Sequence, residues 1–222
     1  MSFHLFYETW SDELRQLVHQ LRQAPIPPAT EDDRRQLQEL VQKVISHYDE
    51  YHRFKTSAAK RDALAFFTAA PGTTSLERSL HWIAGWRPTT AFHLIYTESS
   101  ITLEIHVANL LRGLYNGDLR DLSMEQFHRV SQLKAETVQR ENELTDQLCD
   151  WQDETTAMVG NIKMEKLAVI VEKAEDLRLK TIKSIMKVLT PRQAAEFLVA
   201  AADLHFGIRA WGVQHDSRRG MV

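Results

Sequence analysis

The sequence predicts an all-α protein, a single bundle of about eight helices that includes some long antiparallel ones. Glycine and proline are scarce, at 8 and 6 of 222 residues. The closely spaced alternating runs that a sheet protein needs are absent, and apolar residues recur instead at spacings of three and four. With 43% hydrophobic residues, the chain is large enough to bury one sizeable core.

The first predicted helix covers residues 2–22. Its apolar residues alternate at spacings of four and three, which is a heptad seam: Phe3, Tyr7, Trp10, Leu14, Leu17 and Leu21. Three prolines within 24–30 end this helix, because proline lacks the backbone donor and biases the preceding residue away from helix. Thr30, followed by three acidic residues, then caps a second helix that continues towards a break at Pro71.

Residues 75–97 read SLERSLHWIAGWRPTTAFHLIYT and predict a helix, a corner and another helix. A capping box at Thr74 begins the first of these helices. Gly85 is predicted to take the left-handed conformation that ends it. Trp82 and Trp86 either line a site or pack at the corner, and we interpret them as packing residues.

Four helices and one loop make up the rest of the predicted fold, beginning with the helix that follows the corner. A mostly apolar pattern predicts a central helix over 90–114, broken near Ser99, and then a turn-rich loop at 116–122. Ser123 begins a helix with a polar middle, which projects or pairs with one neighbour. Two more helices are predicted at 162–189 and 191–210, the last started by the capping tetrapeptide TPRQ.

We predict one domain over residues 3–212, followed by a flexible tail at 213–222. The net charge of −3 gives no general attraction to nucleic-acid phosphates, which usually bind a basic face. Cys149 is the single cysteine, which favours a reducing compartment. No secretory leader or apolar stretch of membrane-spanning length is present, so we expect a protein of the nucleus or cytoplasm without a membrane span.

No common catalytic signature occurs in the sequence. Phosphate-binding glycine loops, the G-x-S-x-G elbow and zinc-binding motifs are missing, and we predict no enzyme, no catalytic residue and no metal site. His47 and His52 lie about 140° apart around a helix, so we interpret them as ordinary side chains. Cys149 has no neighbouring base and is interpreted as a small core residue.

Residues 177–192 combine five cations with an apolar face. Calmodulin and membrane surfaces bind basic amphipathic helices of this type. A packed helix with a solvated lysine face gives the same pattern, and we favour that interpretation. The heptad seams at 3–21 and 37–51 leave a similar choice, between a homodimer and packing within one monomer.

Five blocks form a recognisable set: FYETW at 6–10, HYDEYHRFKTSAAKRD at 47–62, the segment at 75–97, DLSMEQFHRVSQL at 121–133 and LTPRQAAEFLVAAADLHFGIRAWG at 189–212. Together they resemble the plant delay-of-germination (seed dormancy control) family, whose domain also forms the C-terminal part of TGA-type bZIP transcription factors. The resemblance implies a helical regulatory domain without known catalytic activity. Its members act through protein contacts in seed dormancy, abscisic-acid signalling, pollen aperture formation and transcription.

The resemblance also bears on partners. In TGA factors the basic region and zipper that read DNA are expected to precede this domain, which begins here at residue 3, so direct sequence-specific DNA binding is not expected. In the family's founding type, the segment that matches 6–10 binds type 2C protein phosphatases. This implies Tyr7, Glu8 and Trp10 as partner-binding residues, although Glu8 departs from the family pattern. Alternatively, Tyr7 and Trp10 are simply core residues.

A last implied site concerns haem. The segment 204–212 resembles a stretch in which some members place two histidines four apart and have been linked to haem. Here His205 matches, but Arg209 holds the other position, and a guanidinium does not ligate iron. His205 is therefore either a haem candidate or a structural histidine. We predict a protein-interaction module, and the alternative is a sensor that binds haem or a small apolar molecule between helices.

Overall fold

A computed structural model describes residues 3–26, 28–69, 72–100, 122–153 and 160–220. These residues form eight helices and no strand, which confirms the predicted all-α class: α1 Phe3–Gln23, α2 Glu31–Arg61, α3 Ala63–Ala69, α4 Ser75–Ser79, α5 Thr90–Ser100, α6 Met124–Asp153, α7 Gly160–Val188 and α8 Pro191–Arg218. Within this described part of the chain, no helix combines the length and the apolar character that crossing a bilayer requires.

Helix α2 lies at the centre of the bundle, where α1, α3, α7 and α8 pack against it. The heptad seam of α1 is buried against this assembly, with Trp10 only 2% exposed and Leu14 fully enclosed. The seam of α2 is buried too, through Leu37, Val41 and Val44. Burying a side chain of this size contributes about 1.5–3 kcal/mol, so both seams stabilise the single chain.

Three threonines begin helices as the sequence predicts. Thr30, Thr74 and Thr190 each accept a hydrogen bond from the backbone N–H three residues on, and the side chain at that third position bonds back to the threonine N–H. Each such cap contributes about 1 kcal/mol. The starts of α2, α4 and α8 are therefore set by local sequence.

Three helix ends differ clearly from the prediction. Helix α4 ends at Ser79 and not at Gly85. The helix predicted to run from Thr30 to Pro71 is divided, because the Asp62 side chain accepts the Ala65 N–H and so begins α3. The last helix runs to Arg218 and not to 210, so the predicted tail at 213–222 is helical that far. Asp216 explains this extension, since it accepts hydrogen bonds from the backbone N–H and hydroxyl of Ser75.

Helix α5 begins at Thr90, as predicted. The predicted break near Ser99 falls at the end of this described stretch, and the continuation to 114 and the loop at 116–121 lie outside the described residues. Helix α6 packs along one long neighbour, α7, so of the two predicted alternatives it is pairing that the structure has. Its far side meets solvent, so Cys149 is exposed and the interpretation of Cys149 as a core residue is wrong.

Two glycines of α8 form a matched pair for testing how α4 packs on α8. A Cβ added at Gly212 would lie 2.1 Å from Thr74 Oγ1, whereas one added at Gly207 would meet nothing within 4 Å. We expect Gly212→Ala to destabilise the fold by about 1–3 kcal/mol, because the capped start of α4 has to move. Gly207→Ala should stabilise it by up to about 1 kcal/mol, because alanine is the better helix former.

Urea unfolding followed by circular dichroism measures both changes. Equal free energies of unfolding for the two variants would contradict the described contact between α4 and α8.

Candidate functional site

Four charged or titratable side chains meet in the core between α2 and α7: His52, Lys55, Glu175 and Arg178, together called the buried charge cluster. Glu175 is at the centre. Its carboxylate accepts hydrogen bonds from His52 Nδ1 at 2.6 Å, Lys55 Nζ at 2.7 Å and Arg178 Nη1 at 2.6 Å. Both helices contribute residues three apart, a spacing that places them on one helix face. All four side chains are buried.

Arg178 also holds the corner at residues 81–86. Its guanidinium is fully buried and donates to the carbonyl oxygens of Trp82, Ile83 and Trp86. Ile83 and Ala84 have positive φ values of 44° and 61°, a conformation that β-branched residues rarely adopt. Such backbone strain amounts to roughly 1–3 kcal/mol per residue, and the three hydrogen bonds from Arg178 stabilise the corner against it.

Gly85 has a different role from the predicted one. The left-handed conformation falls on Ile83 and Ala84, so the prediction for Gly85 is wrong. A Cβ at Gly85 would lie 2.8 Å from Lys55 Nζ and 2.9 Å from Arg178 Cζ. The glycine is therefore needed because the buried charge cluster approaches the backbone closely at this point.

The protonation states of the cluster follow from burial and pairing. Burial alone would raise the pKa of the Glu175 carboxyl, but the charges of Arg178 and Lys55 hold that pKa far below its usual value. Burial lowers the pKa of His52, so its ring is neutral and donates to Glu175 through Nδ1–H. Within the described residues, His52 Nε2 has no hydrogen-bond partner. The cluster is thus a buried network in which the Glu175 carboxylate is paired with two cations and a neutral histidine.

A cavity of about 120 Å³ lies beside the cluster. Helices α1, α2 and α8 and the corner all contribute to its wall, which includes Tyr7, Tyr51, His81, Trp86 and Arg209. Trp82 and Trp86 both pack against the core, as predicted. Trp86 also lines the cavity, so for this residue both interpretations hold.

The predicted partner-binding residues occupy different environments. Tyr7 and Trp10 are buried, whereas Glu8 is exposed and lies 3.4 Å from His4 Nε2. Trp10 Nε1 donates to the His47 carbonyl at 2.9 Å, and His47 Nε2 donates to the Trp10 carbonyl at 2.8 Å. This reciprocal pair fastens α1 to α2. Phosphatase binding through these residues stays a prediction.

The two predicted sites meet at His205. Its Nε2 and the Tyr7 hydroxyl are hydrogen-bonded at 2.9 Å, a contact between α1 and α8. Arg209 lies 4.8 Å above the Tyr7 ring and donates to the Gly72 carbonyl at 2.9 Å. Sequence reasoning assigned Tyr7 and His205 to separate hypotheses, and the fold brings them together.

The residues around His205 do not fit haem. The imidazole nitrogen that would bind iron is hydrogen-bonded to Tyr7, and the neighbouring position carries the Arg209 guanidinium, which is not an iron ligand. The adjoining cavity of about 120 Å³ is also well below the roughly 300–1,000 Å³ of pockets for larger ligands. Among the described residues, no group of three or more His, Cys, Asp or Glu side chains is placed to hold a metal ion.

The basic segment at 177–192 is not one helix, because α7 ends at Val188 and Arg192 lies in α8. The part in α7 packs as an ordinary helix. Ile182 and Ile185 are buried in the core, and so is Arg178. Lys183 Nζ bonds to Asp49 at 2.8 Å. The apolar face is therefore occupied within the chain, as we favoured, and Arg178 does not belong to a solvated basic face.

Sequence reasoning missed the buried charge cluster, although the sequence contains a signal for it. Buried positions of α7 recur at spacings of three and four, and Arg178 occupies one of them: Val171, Ala174, Arg178, Ile182 and Ile185. A charged residue in register with an apolar stripe indicates a buried charge, which requires a partner. Glu175, three residues earlier, is that partner.

Comparisons with known proteins identify a matching family model and several similar proteins. A family model described as seed dormancy control matches residues 12–97. DOG1-like 4 of Arabidopsis thaliana is 31% identical, over 93% of this chain and 90% of that protein. The chain belongs to the seed dormancy control family. DOG1-like 3 of the same plant is 27% identical over 98% of the chain and 86% of its own length.

A weaker likeness extends to transcription factors. The TGACG-sequence-specific DNA-binding protein TGA-2.1 of Nicotiana tabacum is 26% identical over 95% of this chain, but over only 46% of its own length. The predicted family and its relation to TGA factors are both confirmed. The segment that the family model matches contains the corner and the α2 half of the buried charge cluster, whereas Glu175 and Arg178 lie beyond it.

Removing Arg178 tests the buried charge cluster. We expect Arg178→Met to destabilise the fold by about 3–5 kcal/mol, because it removes one of the three partners of the Glu175 carboxylate and the donor that three corner carbonyls share. Lys180→Met, an exposed change on the same helix, is the matched control and should stay within about 0.5 kcal/mol. Thermal and urea unfolding measure both. A loss below 1 kcal/mol for Arg178→Met would contradict the network described.

Buried histidines predict a loss of stability in mild acid. Burial lowers the pKa of His205 to about 4, against about 6.5 in an unfolded chain. Between these values the unfolded chain takes up a proton that the folded chain excludes, so the free energy of unfolding falls as the pH drops. The slope is at most about 1.4 kcal/mol per pH unit for this histidine.

Denaturant unfolding at several pH values between about 4 and 7 measures this slope. His205→Gln retains a hydrogen-bonding group for the Tyr7 hydroxyl and should make the slope shallower. His19→Gln changes an exposed histidine of α1 and should leave the slope as it is. Identical slopes for the two variants would contradict a contribution of His205 to the pH dependence of stability.

Proposed function

We propose that this chain is a non-enzymatic regulatory domain that acts by binding other proteins. Its family supports a role in seed dormancy, abscisic-acid or developmental signalling. The likeness to TGA-2.1, which spans less than half of that DNA-binding protein, supports a role in transcription regulation and a place in the nucleus. In a complex that regulates transcription, this domain would bind other proteins, and a separate DNA-binding region would read the DNA.

The observation that carries this proposal is the outer face of α8. Trp211 is 72% exposed, the most exposed of the five tryptophans, and Leu204 on the same face is 42% exposed. Tryptophan is enriched among the residues that dominate binding energy at protein interfaces. An exposed tryptophan beside an exposed leucine, two helical turns apart, is therefore a recognition surface.

Gly207 lies between these two residues and adds to the argument. A glycine inside a helix destabilises it by about 1 kcal/mol relative to alanine, and nothing in the described chain lies within 4 Å of the position its Cβ would take. Packing among the residues that the structure describes gives no reason for this glycine. A partner backbone that approaches α8 closely between Leu204 and Trp211 supplies one.

The candidate partners are type 2C protein phosphatases, TGA-type factors, calmodulin and a second copy of this chain. For a phosphatase, Glu8 is the accessible residue of the predicted trio. Tyr7 and Trp10 then act indirectly, because their contacts with His205 and His47 fix the position of α1.

Two alanine substitutions test the outer face of α8. Trp211→Ala should weaken binding to a purified TGA-type factor or type 2C phosphatase by at least about tenfold, since removing an interface tryptophan typically loses 2 kcal/mol or more. Met124→Ala, which trims an 83% exposed side chain on α6, is the matched control. Biolayer interferometry gives the affinities, and thermal unfolding verifies that both variants stay folded.

Full binding of every such partner by Trp211→Ala would contradict the proposed surface. An equal loss in Met124→Ala would contradict it too, because the effect would then not be specific to α8.

A further inference from the structure

We propose that the cavity beside the buried charge cluster binds a small aromatic carboxylate. This inference goes beyond the proposed function and does not depend on it. The residues that line the cavity and those around Trp211 form separate sets, so one site can fail its test while the other passes.

The size of the cavity sets the size of the ligand. Its volume of about 120 Å³ is close to the roughly 150 Å³ of an apolar protein cavity that accommodates benzene. One six-membered ring fills such a space. Leu80, which is half exposed, lies on the wall, so a substituent on the ring can extend towards the solvent side. A long acyl chain or a macrocycle exceeds the available volume.

The walls favour an aromatic ring. Phe3, Tyr7, Tyr51 and Trp86 all contribute to the lining, and the rings of Phe3 and Tyr7 are themselves stacked at 6.2 Å. Aromatic rings gain from offset or edge contacts with one another beyond the area they bury. A planar ligand between α1, α2 and the corner makes contacts of this kind on several sides.

The charges favour an anion. Lys55 and Arg209 lie on the wall and Arg178 directly behind it, whereas the carboxylates nearby are Glu77 and Glu175, so three positive charges face two negative ones. The pKa of His81, on the same wall, is lowered to about 4, mainly by burial and then by the charges of Lys55 and Arg178, which outweigh the opposite effect of Glu77 and Glu175. Burial disfavours a charge of either sign, so only the contribution of the Lys55 and Arg178 charges favours an anion at this position.

Hydrogen-bond donors for a carboxylate are present at the same place. Arg209 Nη1 lies 3.3 Å from Glu77, a longer contact than the Glu77 bond to the Thr74 N–H at 2.7 Å. A ligand carboxylate competes with Glu77 for the guanidinium, whose fork of donors suits a carboxylate. A neutral His81 ring offers a further N–H.

Benzoate is the probe, with benzyl alcohol as the neutral compound of matched shape. Isothermal titration calorimetry on the full chain should give saturable binding of one benzoate, with benzyl alcohol at least about tenfold weaker. Ile208→Trp enlarges a wall residue on α8 and should weaken benzoate binding at least tenfold. Val213→Trp places the same side chain at an exposed position of the same helix, outside the cavity lining, and should leave benzoate affinity unchanged.

Arg209→Gln is a second variant, which removes the charge and leaves the cavity open. It should weaken benzoate at least tenfold and change benzyl alcohol binding less than threefold. Circular dichroism verifies the fold of each variant. The proposal is overturned if benzoate shows no saturable binding, if Val213→Trp loses as much affinity as Ile208→Trp, or if decanoate or haemin binds in the cavity more tightly than benzoate.

Discussion

The ionised Glu175 carboxylate in the core is the constraint on which the rest of this structure depends. A buried charge is tolerated only when it is paired and fully hydrogen-bonded, because removal from water costs several kcal/mol. Glu175 meets this condition through His52, Lys55 and Arg178, which come from two helices. The pairing thereby sets how α2 lies against α7. The remaining N–H groups of Arg178 donate to carbonyl oxygens of the corner between α4 and α5, so the same residue also fixes the corner.

Local signals made much of the fold predictable. The threonine caps, the seam of α1 and the pairing of α6 depend on residues close in sequence, and the structure has them as predicted. The corner was predicted less well, since its conformation is imposed by Arg178, which is far away along the chain. Gly85 illustrates the limit: a glycine near a helix end indicates a left-handed stop, but here the cluster's approach requires it. Asp216 and Ser75 extend α8 in the same non-local way.

The candidate site residues were identified by resemblance, and the fold changes how they relate. Tyr7, Trp10 and His205 belong to one buried arrangement that holds α1 between α2 and α8. These residues fix the position of the helix that carries them. Neither the volume of a cavity nor the exposure of Trp211 is encoded in a short pattern, because both depend on which faces of distant helices meet. This is why the sequence indicated a regulatory module without locating the surfaces at which it operates.

The hydrogen bonds from Arg178 to the corner determine which substitutions the corner tolerates. Its hydrogen bonds go to main-chain oxygens of Trp82, Ile83 and Trp86, atoms that every amino acid possesses. The anchor is therefore indifferent to most side chains that the corner carries. A substitution at a wall position such as His81 therefore leaves these main-chain hydrogen bonds in place. Gly85 is the exception at the corner, because a Cβ there would collide with Lys55 Nζ.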